Sequence, residues 1–146
     1  GKSTTSANLQ SQYNNLNLVI WNNDAISHMM FSGDYKLLHK PMLRKIKYYF
    51  VEQCVINNLN FIVDEPHATI EGRKQIIDIA NSKGINEYEI ICYDHGEGNQ
   101  QSLNRRLSNS RGIHEDIWKS AYEKYKIIYK TPEISEGFTE IIRKHH

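Results

Sequence analysis

Residues 59–73 read LNFIVDEPHATIEGR, and the order of those side chains decides the fold class. The run LNFIVD (residues 59–64) is apolar, rich in Ile and Val and only partly alternating, as expected of a strand covered on both faces. It ends on two acids, Asp64 and Glu65. From Ile70 the pattern changes period: Ile76, Ile77, Ile79 and Ala80 mark one buried face of a helix over residues 70–83, with Gly84 as its stop. The order is strand, acidic end, helix.

The same shape recurs on either side. LNLVIW (residues 16–21) predicts a strand that runs into Asn22, Asn23 and Asp24, then a helix-like AISHMM. Residues 41–57 carry Leu43, Ile46, Phe50, Val51 and Cys54 at the 3–4 spacing of a helix. YEIICY (88–93) and KIIY (126–129) predict further strands, and residues 115–124 and 135–144 further helices. Polar punctuation at 94–101 and 108–112 predicts loops. Strands alternating with helices predict an α/β fold with a mostly parallel sheet. There is no internal repeat or linker, so residues 1–144 read as one domain. His145 and His146 read as a purification-tag remnant.

Composition sets outer bounds. A hydrophobic share of 39% beside 24% charged residues predicts a globular chain with a real core rather than a disordered one. No apolar run approaches the ~20 residues of a membrane helix, and no secretory leader is visible, so a cytoplasmic protein without membrane contact is expected. A net charge of +1 means that any nucleic-acid contact must come from a local basic patch. Cys54 and Cys92 lie in apolar runs and read as buried free thiols, and the seven histidines form no metal-ligand pattern.

The chain opens GKST, the closing half of a phosphate-binding loop of the form G-x-x-x-x-G-K-S/T. In such a loop backbone N–H groups and a lysine hold phosphates and the first hydroxyl ligates Mg²⁺, roles that fall here to Gly1, Lys2 and Ser3, with Thr4 beside them. Four residues match by chance often enough that the motif alone is weak. Its neighbours in the chain strengthen it: residues 4–12 are helix-compatible, and a strand arrives one helix length later.

Two of the predicted strands end in acid, where ligands bind in open α/β sheets. Asp24 could act as a base or merely cap the helix after it. Asp64 could hold a metal-bound water, although Asp at a strand end is common. Arg105, Arg106 and Arg111, in LNRRLSNSRG, could close over a transferring phosphoryl group or form a solvated helix face. Lys36, Lys40, Arg44, Lys45 and Lys47, interleaved with Tyr35, Tyr48 and Tyr49, could line a nucleic-acid groove or an ordinary exposed face.

Taken together these elements resemble the P-loop polynucleotide 5′-kinase family over nearly all of the chain. VIWNND looks like that family's V-N-R-D strand end, and MMFSGDY is similar to a glycine–aromatic stretch of its bacterial relatives. NFIVDEPHATIEGR resembles its V-I-D-x-T-N-x-x-x-x-R segment, and RRLSNSRGIHEDI sits at its arginine lid. TPEISEGFTEII resembles its closing P-x-x-x-E-G-F-x-x-I stretch, the most idiosyncratic of the matches.

The resemblance implies a doubly wound, three-layered parallel sheet with an arginine-bearing helical lid, preceded by a first strand that belongs upstream of Gly1. It also implies an ATP- and Mg²⁺-dependent kinase acting on the 5′-hydroxyl of a nucleic acid. Asp24 would be the general base, with Lys2, Arg106 and Arg111 stabilising the transferred group. Gly1, Lys2, Ser3, Thr4 and Arg105 would bind ATP; Ser3 and Asp64 would hold Mg²⁺; Asn23, Ser27, His28, Glu65 and His67 would contact the acceptor. Either Asp64 or Glu65 can be the strand-end acid. Departures fall on the acceptor side: Asn23 and Ser27 replace arginines, Pro66 and His67 replace Thr-Asn, and the lid spacing from Arg106 to Arg111 is one residue longer. D-x-D-G-T is absent, so a kinase without a phosphatase is expected. The alternatives are a small-molecule kinase and a non-catalytic ATP-binding module.

Overall fold

Short β-branched and aromatic runs pair in parallel twice over in the computed structural model, which describes residues 2–32, 39–82, 88–98, 100–109 and 114–144. The expected residues Gly1, Lys36, Tyr35, Gly84 and Arg111, and the terminal histidine pair, lie outside these. The order is α1 (Lys2–Gln12), β1 (Val19–Asn22), α2 (Asn23–Phe31), α3 (Lys40–Ile56), β2 (Phe61–Asp64), α4 (Ile70–Ser82), β3 (Ile91–Asp94), α5 (Gln100–Ser108), α6 (Glu115–Ile128) and β4 (Glu140–Arg143). The chain is mixed α/β, and its strands form two small parallel sheets, β1 with β2 and β3 with β4. It divides into two compact units. One comprises Gly1–Pro66 and Gln75–Tyr88, the other His67–Lys74 and Glu89–His146.

In the first unit β1 and β2 run in register from Val19 opposite Phe61 to Asn22 opposite Asp64. Trp21, Leu43, Val51, Cys54, Val55, Ile77 and Ala80 are buried. Trp21 packs on Phe50 at 5.6 Å between ring centroids, and Phe50 meets Phe61 edge-on at 6.2 Å, the offset and T-shaped geometries that ring quadrupoles favour. Helix α3 carries Pro41 in its first turn, where a fixed φ is well suited. It ends where Asn58 turns left-handed at φ 53°, while the Leu59 N–H reaches back to the Cys54 carbonyl at 2.8 Å. That closure satisfies the last turn and sends the chain straight into β2.

In the second unit β3 and β4 pair from Ile91 opposite Glu140 to Asp94 opposite Arg143. Two expectations fail here. Residues 126–129 are not a strand: α6 continues to Ile128, because Trp118, Tyr122 and Tyr125 recur at helical spacing and are the half-buried face, while Ile127 stays 78% exposed. Nor are residues 135–144 a helix. A 3₁₀ turn, Ile134–Glu136, stops at Gly137 (φ 109°), a conformation glycine adopts without strain, and the β-branched pair Ile141–Ile142 then extends as β4. Strand β1 also starts later than expected, since Asn14–Leu16 is a 3₁₀ turn ending in left-handed Asn17.

The contrast between a packed and an exposed apolar residue is measurable. Leu43→Ala should lower unfolding stability by about 2–5 kcal/mol in urea titrations, whereas Ile127→Ala should stay within about 0.5 kcal/mol. A core-sized loss at Ile127 would show that residues 126–129 do not lie on an exposed helix face.

Candidate functional site

At the carboxyl end of β1 the chain must turn from strand to helix, and Asn22 makes the turn. Its side-chain oxygen accepts from the Ala25 N–H at 2.9 Å, an N-cap for α2. The other end of the same amide, Nδ2, donates to Asp64 Oδ2 at 2.9 Å across the pair. One side chain thus starts a helix and orients the buried carboxylate at the end of the neighbouring strand. Asp24 lies in the first turn of α2, exposed, where the helix dipole favours an anion.

The two strand-end acids are held differently. Both oxygens of Glu65 are engaged: Trp21 Nε1 donates to Oε1 at 2.7 Å, and Lys47 Nζ lies 2.7 Å from Oε2 with both side chains largely buried. Glu65 therefore ties the core tryptophan to α3, and Lys47 of the basic run on α3 is part of this internal ion pair. Asp64 is the last residue of β2.

The other expected residues of this unit lie on α1 and α2. Lys2 opens α1, so Ser3 and Thr4 lie exposed in its first turn, and α1 packs beside β2. Ser27 is buried, its hydroxyl donating to the Asn23 carbonyl at 2.6 Å. Asn23 is half-buried and His28 exposed.

His67, Arg105 and Arg106 belong to the second unit. Arg105 is exposed and donates to Ser102 Oγ at 3.3 Å. Arg106 lies over the Trp118 ring at 4.5 Å, a cation–π contact between α5 and α6. His67 contributes its carbonyl to the guanidinium of Arg73.

Arg73 is a residue the functional reading of the sequence missed. It is buried, with Nε 2.7 Å from Glu136 Oε2 and Nη2 2.8 Å from Oε1, a two-pronged pair. Nη1 donates to the carbonyls of His67 at 3.0 Å and Lys130 at 2.9 Å. Burial opposes the guanidinium's charge, but the hydrogen bond and attraction of Glu136 outweigh it and raise its pKa. The bond from Arg73, foremost, holds the Glu136 carboxyl below its ordinary value. The signal was in the sequence, since Arg73 closes one matched segment and Glu136 sits in the EGF of another.

A second missed group ends β3. Buried Asp94 accepts at Oδ1 from the Tyr129 hydroxyl and from the Gly96 N–H, both at 2.8 Å. Burial and the Asp94 bond push the Tyr129 phenol well up. Burial first, then the Asp94 carboxylate, raises the Cys92 thiol to about 11, and burial raises Cys54 as well. Both cysteines are free thiols. Proton release from either is suppressed at neutral pH, so neither is an activated nucleophile.

No protein-family profile matches the chain, and no curated protein matches it in sequence.

Two substitutions test these contacts. Glu136→Gln should destabilise by about 3–5 kcal/mol at neutral pH, because it leaves Arg73 buried without its counter-charge. A carboxyl lowered in the fold stabilises above its unfolded value near 4.5 and loses that contribution as pH falls through the lower folded value. The acid limb of the stability curve should therefore flatten in Glu136→Gln; an unchanged limb refutes the pair. Asn22→Asp keeps the cap but sets a carboxylate against Asp64, raising a folded carboxyl pKa. Its stability deficit should be largest at neutral pH and shrink on acidification, read from urea midpoints.

Proposed function

We propose that the chain is part of an ATP- and Mg²⁺-dependent kinase that transfers the γ-phosphoryl group to a hydroxyl, with the 5′-hydroxyl of a nucleic acid as acceptor. One observation carries this: a single compact unit holds the helix that GKST opens and a parallel strand pair whose carboxyl ends bear Asp24 and Asp64. Parallel strands that lead into helices present ligand sites at those ends. A doubly wound, three-layered P-loop sheet is built from parallel strands, and the two short parallel pairs are compatible with it.

In this reading Asp24, exposed in the first turn of α2, accepts the proton of the acceptor hydroxyl. The acceptor oxygen forms its bond to the γ-phosphorus as the bond to the β-bridging oxygen breaks, and ADP leaves. Gly1, Lys2, Ser3 and Thr4 bind the phosphates at the start of α1. Ser3 and Asp64 supply the hard oxygen donors that suit Mg²⁺, which needs few protein ligands of its own. When bound, Mg²⁺ neutralises phosphate charge. Asp64 is preferred to Glu65 for this role, because both oxygens of Glu65 already serve Trp21 and Lys47. On the family resemblance alone, Arg106, with Arg105 and Arg111, would be the arginines that stabilise the transferring group. His28 replaces the buried Ser27 as the acceptor contact on α2, alongside Asn23, while Glu65 supports the site from behind.

The test is transfer of labelled γ-phosphate from Mg·ATP to a 5′-hydroxyl oligonucleotide by the full natural chain. Asp24→Asn should lower the rate by ~10²–10⁴, the usual loss on removing a general base, with ATP affinity unchanged. Parent-rate transfer by Asp24→Asn would remove Asp24 from the role. Phosphorylation of free nucleosides alone would move the acceptor to small molecules, as the buried Ser27 would suit. ATP binding without transfer to any acceptor would make the protein a nucleotide-binding module.

A further inference from the structure

Helix α3 buries Leu43, Val51, Cys54 and Val55 on one side. On the opposite side Met42, Tyr49 and Ile56 succeed one another at seven-residue intervals and remain 41%, 62% and 53% exposed. Seven residues are almost two helical turns, so the three side chains form one stripe that drifts by only ~20° per step. At a rise of ~1.5 Å per residue the stripe runs about 21 Å. Lys45 and Glu52 lie together on one flank of it, before and after Tyr49. Along that flank a groove between α3 and α4 is lined by Lys45, Tyr48, Tyr49, Glu52, Ile79 and Ser82.

We propose that this stripe is a homodimer interface, in which α3 of one chain packs antiparallel on α3 of a second copy about a two-fold axis at Tyr49. The pattern is self-complementary under that operation. Met42 comes opposite Ile56, Tyr49 opposite Tyr49, and Lys45 falls within one residue of the height of Glu52 on the same flank, close enough for two symmetric ion pairs. A two-fold interface demands this matching of one patch to itself. Heptad spacing is also the repeat that packs helices side by side at a shallow angle. A parallel two-fold would carry the two copies of this flank to opposite sides of the seam, where Lys45 and Glu52 would not meet, so the charges select the antiparallel pairing. Nucleic acid fits less well, since Met42 and Ile56 are apolar and Glu52 repels phosphate. The interface uses no residue assigned to phosphoryl transfer and does not depend on the kinase reading.

Sedimentation velocity on the full natural chain, from micromolar to submillimolar concentration, tests it. The parent should shift by mass action to twice the monomer mass. Tyr49→Glu should remain monomeric throughout, with the circular dichroism and melting curve of the parent, because Tyr49 is outside the core. Lys45→Glu and Glu52→Lys should each weaken association more than about tenfold by placing like charges face to face, and the double exchange should restore it. A parent that stays monomeric overturns the proposal, as does Tyr49→Glu dimerising like the parent. A double exchange no better than either single one overturns the antiparallel pairing. A monomeric parent whose oligonucleotide affinity falls in Lys45→Glu would reassign the face to nucleic acid.

Discussion

The amide of Asn22 faces two ways, and the first unit's candidate site depends on that. A carboxylate at this position could cap α2 but could not donate to Asp64; an aliphatic residue could do neither. Asparagine supplies an acceptor to the Ala25 N–H and a donor to Asp64 from one planar group. The cap fixes where α2 begins, and with it the place of Asp24. The donor fixes the buried carboxylate that ends β2. Because the two bonds share one side chain, the start of the helix and the orientation of the acid are set together, on elements rather than on a loose loop.

The second unit has its own fixed point. Arg73 and Glu136 are far apart in sequence, and their pairing joins the first turns of α4 to the 3₁₀ turn before β4. Taking two charges out of water is unfavourable in itself. Here each remaining polar atom is used: Nη1 satisfies two carbonyls, and Glu136 Oε1 also accepts from the Glu133 N–H at 2.9 Å. The pair therefore anchors backbone that no helix or strand ladder would satisfy. Arg73, the most deeply buried charged residue among those described in this unit, commits its donors to Glu136 and to two backbone carbonyls.

Much of the architecture was legible because it rests on local period. The expected strand forms over Phe61–Asp64, the expected helices over Lys40–Ile56 and Ile70–Ser82, and the parallel α/β class follows from the same apolar spacing; Asp64 ends β2, whereas Asp24 lies just past β1 in the first turn of α2. The errors came where two periods overlap. KIIY is an apolar run that could be strand, but the tyrosines before it continue a helical stripe. SEGFTEIIRK has helical spacing until Gly137 imposes a left-handed turn. The roles of Asn22, Glu65 and Arg73 could not be read in the same way. Each depends on a partner distant in the chain, and nothing in local spacing says that Trp21 and Lys47 will occupy both oxygens of Glu65.

The central claim is that phosphates bind where α1 begins and that Asp64 answers the metal they bring. Amide NMR of the full natural chain, titrated with a non-hydrolysable ATP analogue with and without Mg²⁺, addresses it directly. The account predicts that the Ser3 and Thr4 amides shift on nucleotide addition, and that Asp64 and its neighbour Asn22 shift only when Mg²⁺ is present. Saturating nucleotide and Mg²⁺ that leave all four amides in place would contradict it.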